Sequence, residues 1–230
     1  MPLKSRHARA HFDVEIQDML LRVAAPEDLY EEARAAGMHF WEQMESYGVR
    51  HREFRTSKRP VAVAADAPEI VQEMAESARL AGVGPAFTIQ GAVTDCVGRF
   101  LALRQSEVLV SNGGDFFAIT RKRARLVVHP GTDGGAEAIA IVVKPELGAQ
   151  GISTTMGRLY LPASSTDGVV VVATSCILAD AAAAAASAIL RREDSLKTAL
   201  QYLQKIAGVH GAMVLRGQSI GLAGNLEVAA

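Results

Sequence analysis

The sequence predicts an α+β fold organised as one domain over residues 1–230. Two observations favour this class: helical patterns come early and in pairs, and short strand patterns cluster in the second half of the chain. The composition, 49% apolar and 21% charged, is ordinary for a globular protein, and the chain is long enough to bury a sizeable core. We expect residues 1–65 to form an N-terminal strand–helix portion and residues 66–230 to form the core.

The N-terminal portion begins with a hairpin pattern and continues into a helix. Apolar residues partly alternate over residues 11–23, with Gln17 and Asp18 as the turn between two strands. Residues 26–28, Pro-Glu-Asp, open a helix, because proline and acidic side chains suit a first helical turn. Residues 50–60 are polar and rich in Arg and Lys, and we expect a loop there.

Two helix patterns open the predicted core. The first begins at residues 67–69 with a proline and a glutamate, and the second follows a Gly-Val-Gly-Pro break at residues 82–85. Each has an apolar stripe at helical spacing. The stripes are Ile70, Val71, Met74 and Ala78 in the first helix, and Ile89, Val93, Val97, Phe100 and Leu103 in the second.

Short strands are predicted after these helices. The first, at residues 107–110, runs into the turn Ser-Asn-Gly-Gly-Asp at residues 111–115, whose residues tolerate positive φ. The remaining predicted elements are strands at 116–120, 125–129, 138–143 and 169–172, loops at 121–123 and 130–135, an alanine-rich helix at 177–190, a helix at 195–206 and weak strands within 212–228.

Residues 169–190 are also long enough to cross a bilayer and carry one charge, Asp180. A charge near the middle of a span costs about 2.5–3.5 kcal/mol, and the second half of the segment is mostly weakly hydrophobic alanine. A buried strand that feeds a helix therefore accounts for the segment better than a membrane span does.

Net charge, cysteine spacing and the N-terminal sequence bear on the protein's partners and location. The formal net charge of −1 gives no general reason to expect nucleic acid or an anionic membrane as a partner. Cys96 and Cys176 lack metal-ligand spacing and are expected to be buried free thiols. The apolar run at residues 19–21 is too short for a secretion signal, so we expect a cytoplasmic protein.

The turn at residues 111–115 is one candidate site. Its glycines allow a ligand to approach the backbone, its N–H groups could cradle a phosphate, and Asp115 could hold a metal or a hydroxyl. A tight hairpin that requires glycine explains the same residues without a ligand.

A second candidate is Asp180, expected at the head of the alanine-rich helix, where a carboxylate gains from the helix dipole. Mg²⁺ prefers carboxylate and hydroxyl or carbonyl oxygens, and Ser153, Thr154 and Thr155 could supply the hydroxyls if the fold brings them close. The alternative is an ordinary acid in a first turn.

Several segments, taken in order, resemble an uncharacterised bacterial and archaeal protein family related to the ApbE flavin transferases. The segments are Ala-Pro-Glu-Ile-Val-Gln-Glu-Met at 67–74, Ala-Gly-Val-Gly-Pro at 81–85, Ser-Asn-Gly-Gly-Asp at 111–115, Gly-Ile-Ser-Thr at 151–154 and Leu-Ala-Asp-Ala-Ala at 178–182. The resemblance covers roughly residues 12–190. It implies an ApbE-like, T-fold-related architecture in which layers of mixed or antiparallel sheet pack against paired helices.

The resemblance also implies a site. ApbE proteins transfer FMN from FAD to a threonine of a target protein with Mg²⁺, so a pocket for FAD, FMN or another nucleotide is expected. Gln90 falls where those enzymes have a lysine, and Gly91 and Asp95 match the glycine and aspartate of the same segment. The other implied cofactor-binding residues are Asn112, Gly113, Gly114, Asp115, Ser153, Thr154 and Thr155, and Asp180 falls on the metal-binding aspartate.

Two departures bear on this site. Ala184 replaces the threonine that holds Mg²⁺ in the family, so one hydroxyl ligand is missing unless Ser187 or the cluster at residues 153–155 compensates. A histidine of the family has no clear counterpart, and Arg158 lies nearest.

Three functions remain open from the sequence. A binding module for a flavin, nucleotide or similar anionic ligand, with a degenerate Mg²⁺ site, is the first choice. An active Mg²⁺-dependent enzyme that cleaves FAD and transfers FMN is the second. A structural or assembly protein, homodimeric through an exposed sheet edge, is the third.

Overall fold

The computed structural model describes residues 10–128, 139–156, 168–193 and 195–229. The strands in these ranges are β1 Ala10–Ile16, β2 Met19–Ala25, β3 Val108–Ser111, β4 Asp115–Ile119, β5 Ala124–Val128, β6 Ile139–Val143, β7 Gln150–Met156, β8 Gly168–Ala173, β9 Val209–Arg216, β10 Ser219–Gly224 and β11 Val228–Ala229. The helices are α1 Tyr30–Arg50, α2 Arg52–Thr56, α3 Glu69–Ala81, α4 Ile89–Ala102, α5 Cys176–Glu193 and α6 Leu196–Leu203.

The strands form two antiparallel sheets. The larger sheet has eight strands in the order β1-β2-β3-β4-β7-β8-β9-β10, and the smaller has three in the order β11-β6-β5. Strands β3 and β4 form a hairpin around the Gly-Gly-Asp turn, and β7 lies between β4 and β8.

The eight-stranded sheet is the middle of three layers. The alternating residues of β4 illustrate this: Phe117 packs towards α4, where it meets Gly98, whereas Phe116 and Ala118 join a core that includes Ile141 of the smaller sheet. One helix-side core contains α1, α3 and α4, and a second contains α5 and α6. The predicted α+β class, with antiparallel sheets packed against helices, is confirmed.

Several predicted elements are present as expected. The N-terminal hairpin turns at Gln17, whose φ is +56°, and α3 follows its predicted stripe. Helix α4 follows its stripe except at Leu103, which comes after the helix ends and is 82% exposed. Residues 169–190 divide between strand β8 and helix α5, and no helix in the described parts of the chain is long and apolar enough to cross a membrane. Both cysteines are free and buried, as expected.

Two expectations need correction, and two others concern residues outside the described ranges. The loop expected at residues 50–60 contains α2, because Phe54 buries its ring against Tyr47. Helix α5 begins at Cys176, so Asp180 lies in its second turn and gains less from the helix dipole. The Ser/Thr cluster at 153–155, for which no element was predicted, belongs to strand β7. The loop at 130–135 and Arg158 lie outside the described ranges.

Candidate functional site

The candidate site lies where helix α4 contacts helix α5. The Gly91 N–H donates to Oδ2 of Asp180 over 3.0 Å, and the Cys176 N–H donates to Oδ1 of Asp95 over 2.5 Å. A Cβ at Gly91 would lie 2.7 Å from the carbonyl oxygen of Cys176 and 2.8 Å from Cβ of Asp180. Position 91 is therefore restricted to glycine because the two helices approach closely there.

Two buried carboxyls near this contact interact through their charges. Asp180 on α5 is 9% exposed and Asp115 on β4 is 3% exposed. Burial raises the pKa of the Asp180 carboxyl well above its ordinary value, and the neighbouring charge of Asp115 raises it further. Burial also raises the pKa of Asp115, against the opposing effect of hydrogen bonds from Ser153 and Asn112.

The negative charge of Asp115 and Asp180 suits a cation, but the pair offers few ligands. Among the described residues, the interactions that shift the two pKa values include no basic side chain. A divalent cation would relieve the repulsion, since carboxylates are the ligands that Mg²⁺ prefers. No group of three or more His, Cys, Asp and Glu side chains within the described ranges could hold a metal ion. The fit therefore rests on Asp115 and Asp180, with the Ser153 hydroxyl beside them.

The amides of the Gly-Gly-Asp turn are already hydrogen-bonded inside the turn. Gly113 N–H donates to Oγ of Ser111, and the N–H groups of Gly114 and Asp115 both donate to Oδ1 of Asn112. The side-chain amide of Asn112 also donates to Oδ2 of Asp115 over 3.0 Å. A phosphate would have to displace these bonds, so the turn's clearest role in the structure is to hold the Asp115 carboxylate.

The Ser/Thr cluster divides its hydroxyls among three partners. Ser153 faces Asp115 across the β4–β7 pairing, and the Thr154 hydroxyl donates to the carbonyl of Gly114 over 2.9 Å. Thr155 Oγ1 lies 3.0 Å from Oγ of Ser187, which donates in turn to the carbonyl of Ala183. Thr155 and Ser187 are thus engaged with each other, and Ser153 alone of the cluster contacts the acid pair.

Asp95 lines a cleft of about 790 Å³ one helical turn from Gly91. Apolar side chains make up much of its wall, among them Val61, Phe117 and Ile177. The segment at residues 60–65, helix α3 and residues 174–177 at the start of α5 provide most of the lining. None of Gln90, Asp115, Ser153 and Asp180 lines the cleft, and Gln90 is exposed on the first turn of α4.

Arg99 connects two carboxylates at the cleft. Its Nε lies 2.9 Å from Oδ2 of Asp95, and its Nη1 donates to Glu73 over 2.8 Å. Burial raises the pKa of Asp95 to about 6, although the Cys176 N–H and the Arg99 charge oppose the shift. Although partial burial opposes the shift, hydrogen bonds to Glu73 and the charge of Asp95 raise the pKa of Arg99. Desolvation dominates at Asp95 because that carboxyl is enclosed while its arginine is half exposed.

Asp95→Asn is expected to flatten the dependence of stability on pH between pH 4 and 6. The folded pKa of about 6 exceeds the ordinary 3.8, so the folded state gains stability from protonation at low pH. That stability is lost as pH rises through 6, and the difference amounts to about 3 kcal/mol. Denaturant unfolding of the wild type and the variant at several pH values measures it. If wild type and variant showed equal slopes of stability against pH, the raised pKa of Asp95 would be wrong. The exposed Asp66→Asn serves as the control.

Sequence reasoning missed the partners of Asp95. The structure places Arg99, Glu73 and the Cys176 amide around it. The spacing of Asp95 and Arg99, four residues apart on a predicted helix, is a signal that could have identified the ion pair. No local signal identifies Glu73 or Cys176, which come from α3 and α5.

The fold is that of the ApbE flavin transferases. The structure of the flavin transferase ApbE from Vibrio cholerae matches with a TM-score of 0.62 at 11% identity, over 96% of this chain and 97% of that chain. The flavinyl transferase ApbE from Pseudomonas stutzeri, in its apo form, matches with a TM-score of 0.62 at 13% identity, over 96% of this chain and 94% of that chain. At these identities the likeness establishes the fold alone.

The family is established by sequence. A family profile described as "AbpE bacteria" matches residues 2–215, and the chain belongs to this family. A UPF0280 protein of Methanopyrus kandleri is 30% identical over 219 residues, which cover 92% of this chain and 88% of the relative. A UPF0280 protein of Methanocaldococcus jannaschii is 29% identical over 192 residues, covering 80% of this chain and 78% of the relative. The predicted resemblance to an ApbE-related family is confirmed.

Proposed function

We propose that this protein binds a flavin or adenine nucleotide at the α4–α5 contact, with a divalent cation held by Asp180 and Asp115. One observation carries the proposal: the contact that Gly91 permits fixes Asp180, whose carboxyl interacts through its charge with Asp115, and one turn away fixes Asp95 at the cleft. The proposed ring site at Asp95 and the proposed cation site between Asp180 and Asp115 therefore flank the same helix contact.

The chemistry of the cleft suits a flat heteroaromatic ring better than a phosphate. Its walls are largely apolar, and ligand pockets that hold rings combine such walls with a few fixed polar groups. Both arginines in the lining are already paired, Arg79 with Glu76 and Arg99 with Glu73 and Asp95. A phosphate would have to break these ion pairs, whereas a ring can use the Asp95 carboxyl as a hydrogen-bond partner.

The phosphates of such a ligand belong at the acid pair, and they require a cation there. Two carboxylates repel a phosphate unless a positive charge lies between them. When bound, Mg²⁺ would supply that neutralisation. Gly91 orients Asp180 through its N–H, and Asn112 and Ser153 orient Asp115. We therefore expect nucleotide binding to depend on the divalent cation.

The ligand set favours binding over turnover. Ala184 lies one turn beyond Asp180 on α5 and offers no oxygen, and Ser187 is occupied by Ala183 and Thr155. Cleavage of a pyrophosphate depends strongly on charge neutralisation by a well-held metal. A cation with one ligand fewer supports binding with weaker catalysis.

Mg²⁺-dependent cleavage of FAD is the second candidate. The raised pKa values of the two buried carboxyls favour it, because strongly perturbed pKa values are common at catalytic sites.

Isothermal titration with FAD, FMN and ADP, each with and without Mg²⁺, tests the proposal. Saturable binding that requires Mg²⁺ and leaves FAD intact by chromatography is the expected result. Release of AMP from FAD would favour the second candidate. An absence of binding to all three ligands would overturn both and leave the structural role.

Ala184→Thr is expected to strengthen Mg²⁺-dependent nucleotide binding roughly tenfold, since one added charge-assisted ligand contributes about 1.4 kcal/mol. Positions 180 and 184 share a helix face, so the new hydroxyl would lie beside the Asp180 carboxylate. Titration of the variant measures the change, with Ala184→Val as the isosteric control. Equal affinities for the Thr and Val variants would show that position 184 does not limit the cation site.

A further inference from the structure

The two edges of the eight-stranded sheet differ in character. β1 forms one edge and β10 the other. The exposed positions of β1 include His11, Asp13 and Glu15. Charged side chains on an edge strand discourage pairing with another strand, because pairing would bury them or bring like charges together. β10 and its flanks, residues 217–225, contain no charged residue and no proline.

The edge at β10, which carries no charged residue, also exposes apolar side chains. Ile220 is 61% exposed and Leu222 is 55% exposed. They lie opposite Leu215 and Met213 of β9, which are buried in the core between the two sheets. The apolar face of the sheet thus continues onto β10 and is left open to solvent among the described residues.

The opposite face of β10 is closed. A Cβ at Gly221 would lie 2.4 Å from Leu196 and 2.5 Å from Leu200, so α6 covers the strand directly on that side. Ala223 is buried on the same face. Among the described residues, the backbone edge of β10 and its Ile220–Leu222 face are therefore left accessible to a partner.

We propose that β10 pairs antiparallel with β10 of a second copy of this chain, around a two-fold axis at Gly221. In this register Ile220 lies opposite Leu222 of the second copy, on the same face of the joined sheet. The two eight-stranded sheets then form one continuous sheet of sixteen strands. The pairing satisfies the edge N–H and C=O groups and buries four apolar side chains.

The charges of the two edges select a second copy as the occupant. An isologous antiparallel pair sets each strand against itself, so any charged residue on it meets the same charge nearby. β1 is unsuited to self-pairing because Asp13 and Glu15 would gather around its axis. β10 has no such conflict, and its alternation of Ile and Leu with Gly and Ala is self-complementary.

Sedimentation of the full chain with the double variant Ile220→Lys, Leu222→Lys tests the proposal. The wild type is expected to sediment as a dimer, and the variant as a folded monomer with a dissociation constant raised at least about 100-fold. Leu103→Lys, at an 82% exposed leucine on another surface, is the matched control and should stay dimeric. A monomeric wild type, or a variant dimer as tight as the wild type, would overturn the proposal.

Cysteine cross-linking tests the register without relying on a destabilising change. Residues opposite each other in an antiparallel pair lie within disulfide reach, whereas residues displaced by two positions do not. The double variant Ile220→Cys, Leu222→Cys should form covalent dimers on oxidation, and each single variant should not. Cross-linking by either single variant alone would place the axis elsewhere and overturn this register. The native cysteines are buried and should not compete.

Discussion

Gly151→Ala is expected to lower the free energy of unfolding by at least about 3 kcal/mol, an unusually large effect for one methyl group. A Cβ at position 151 would lie 2.0 Å from the backbone nitrogen of Cys176 and 2.0 Å from the carbonyl carbon of Ser175. These are backbone atoms at the start of α5, so no side-chain rotation relieves the clash. Moving α5 away from β7 would also stretch the hydrogen bond from Cys176 to Asp95.

Denaturant unfolding measures this effect, and Gly114→Ala is the matched control. A Cβ at Gly114 would have its nearest neighbour, the carbonyl oxygen of Thr154, at an ordinary 3.5 Å. The control should remain within about 0.5 kcal/mol of the wild type. If Gly151→Ala were equally mild, the close seating of α5 on β7 described above would be wrong.

Asp180→Asn is expected to abolish cation-dependent nucleotide binding and, at neutral pH, to raise the stability of the ligand-free protein. The two effects have opposite signs because the carboxylate is costly to bury yet needed for the cation. Burial and the charge of Asp115 raise the pKa of the Asp180 carboxyl, so its ionised form destabilises the fold at neutral pH. An asparagine at this position can still accept the Gly91 N–H through its amide oxygen.

Titration with Mg²⁺ and FAD, together with thermal unfolding without ligand, separates these effects. The exposed Asp13→Asn removes the same charge from the surface and should change neither measurement. A variant that binds as tightly as the wild type would remove Asp180 from the cation site. A variant that loses binding because it unfolds would show instead that the carboxylate is structural.

The sequence determined most of the individual elements. The periodicity of α3 and α4, the hairpin at Gln17 and the strand-to-helix division of residues 169–190 could be predicted because each is a local pattern. Strand β7 could not be assigned from its composition. Its Ser/Thr-rich segment is held in a strand by hydrogen bonds to β4 and β8 on either side, and those partners are distant in sequence.

The candidate site, too, could be predicted only in part. Asp180, Asp115 and Asp95 could be selected from the sequence as candidates, through turn chemistry and the family resemblance. The sequence could not show whether these residues act together. Their relative positions depend on the approach of α4 to α5 and on the β4–β7 register. The engagement of Thr155 with Ser187, and of the turn amides with Ser111 and Asn112, was likewise invisible in the sequence.

The sequence by itself therefore determined the fold class, the family and the candidate residues for a nucleotide or cation site, since these depend on local periodicity and on residue chemistry. The tertiary structure decided which of those residues meet. Gly91 and Gly151 let α5 approach α4 and β7 closely, and that approach brings Asp180 to the Gly91 N–H and Cys176 to Asp95. A side chain's burial, its partners and its pKa are properties of such contacts, and they exist only once distant segments of the chain have packed together.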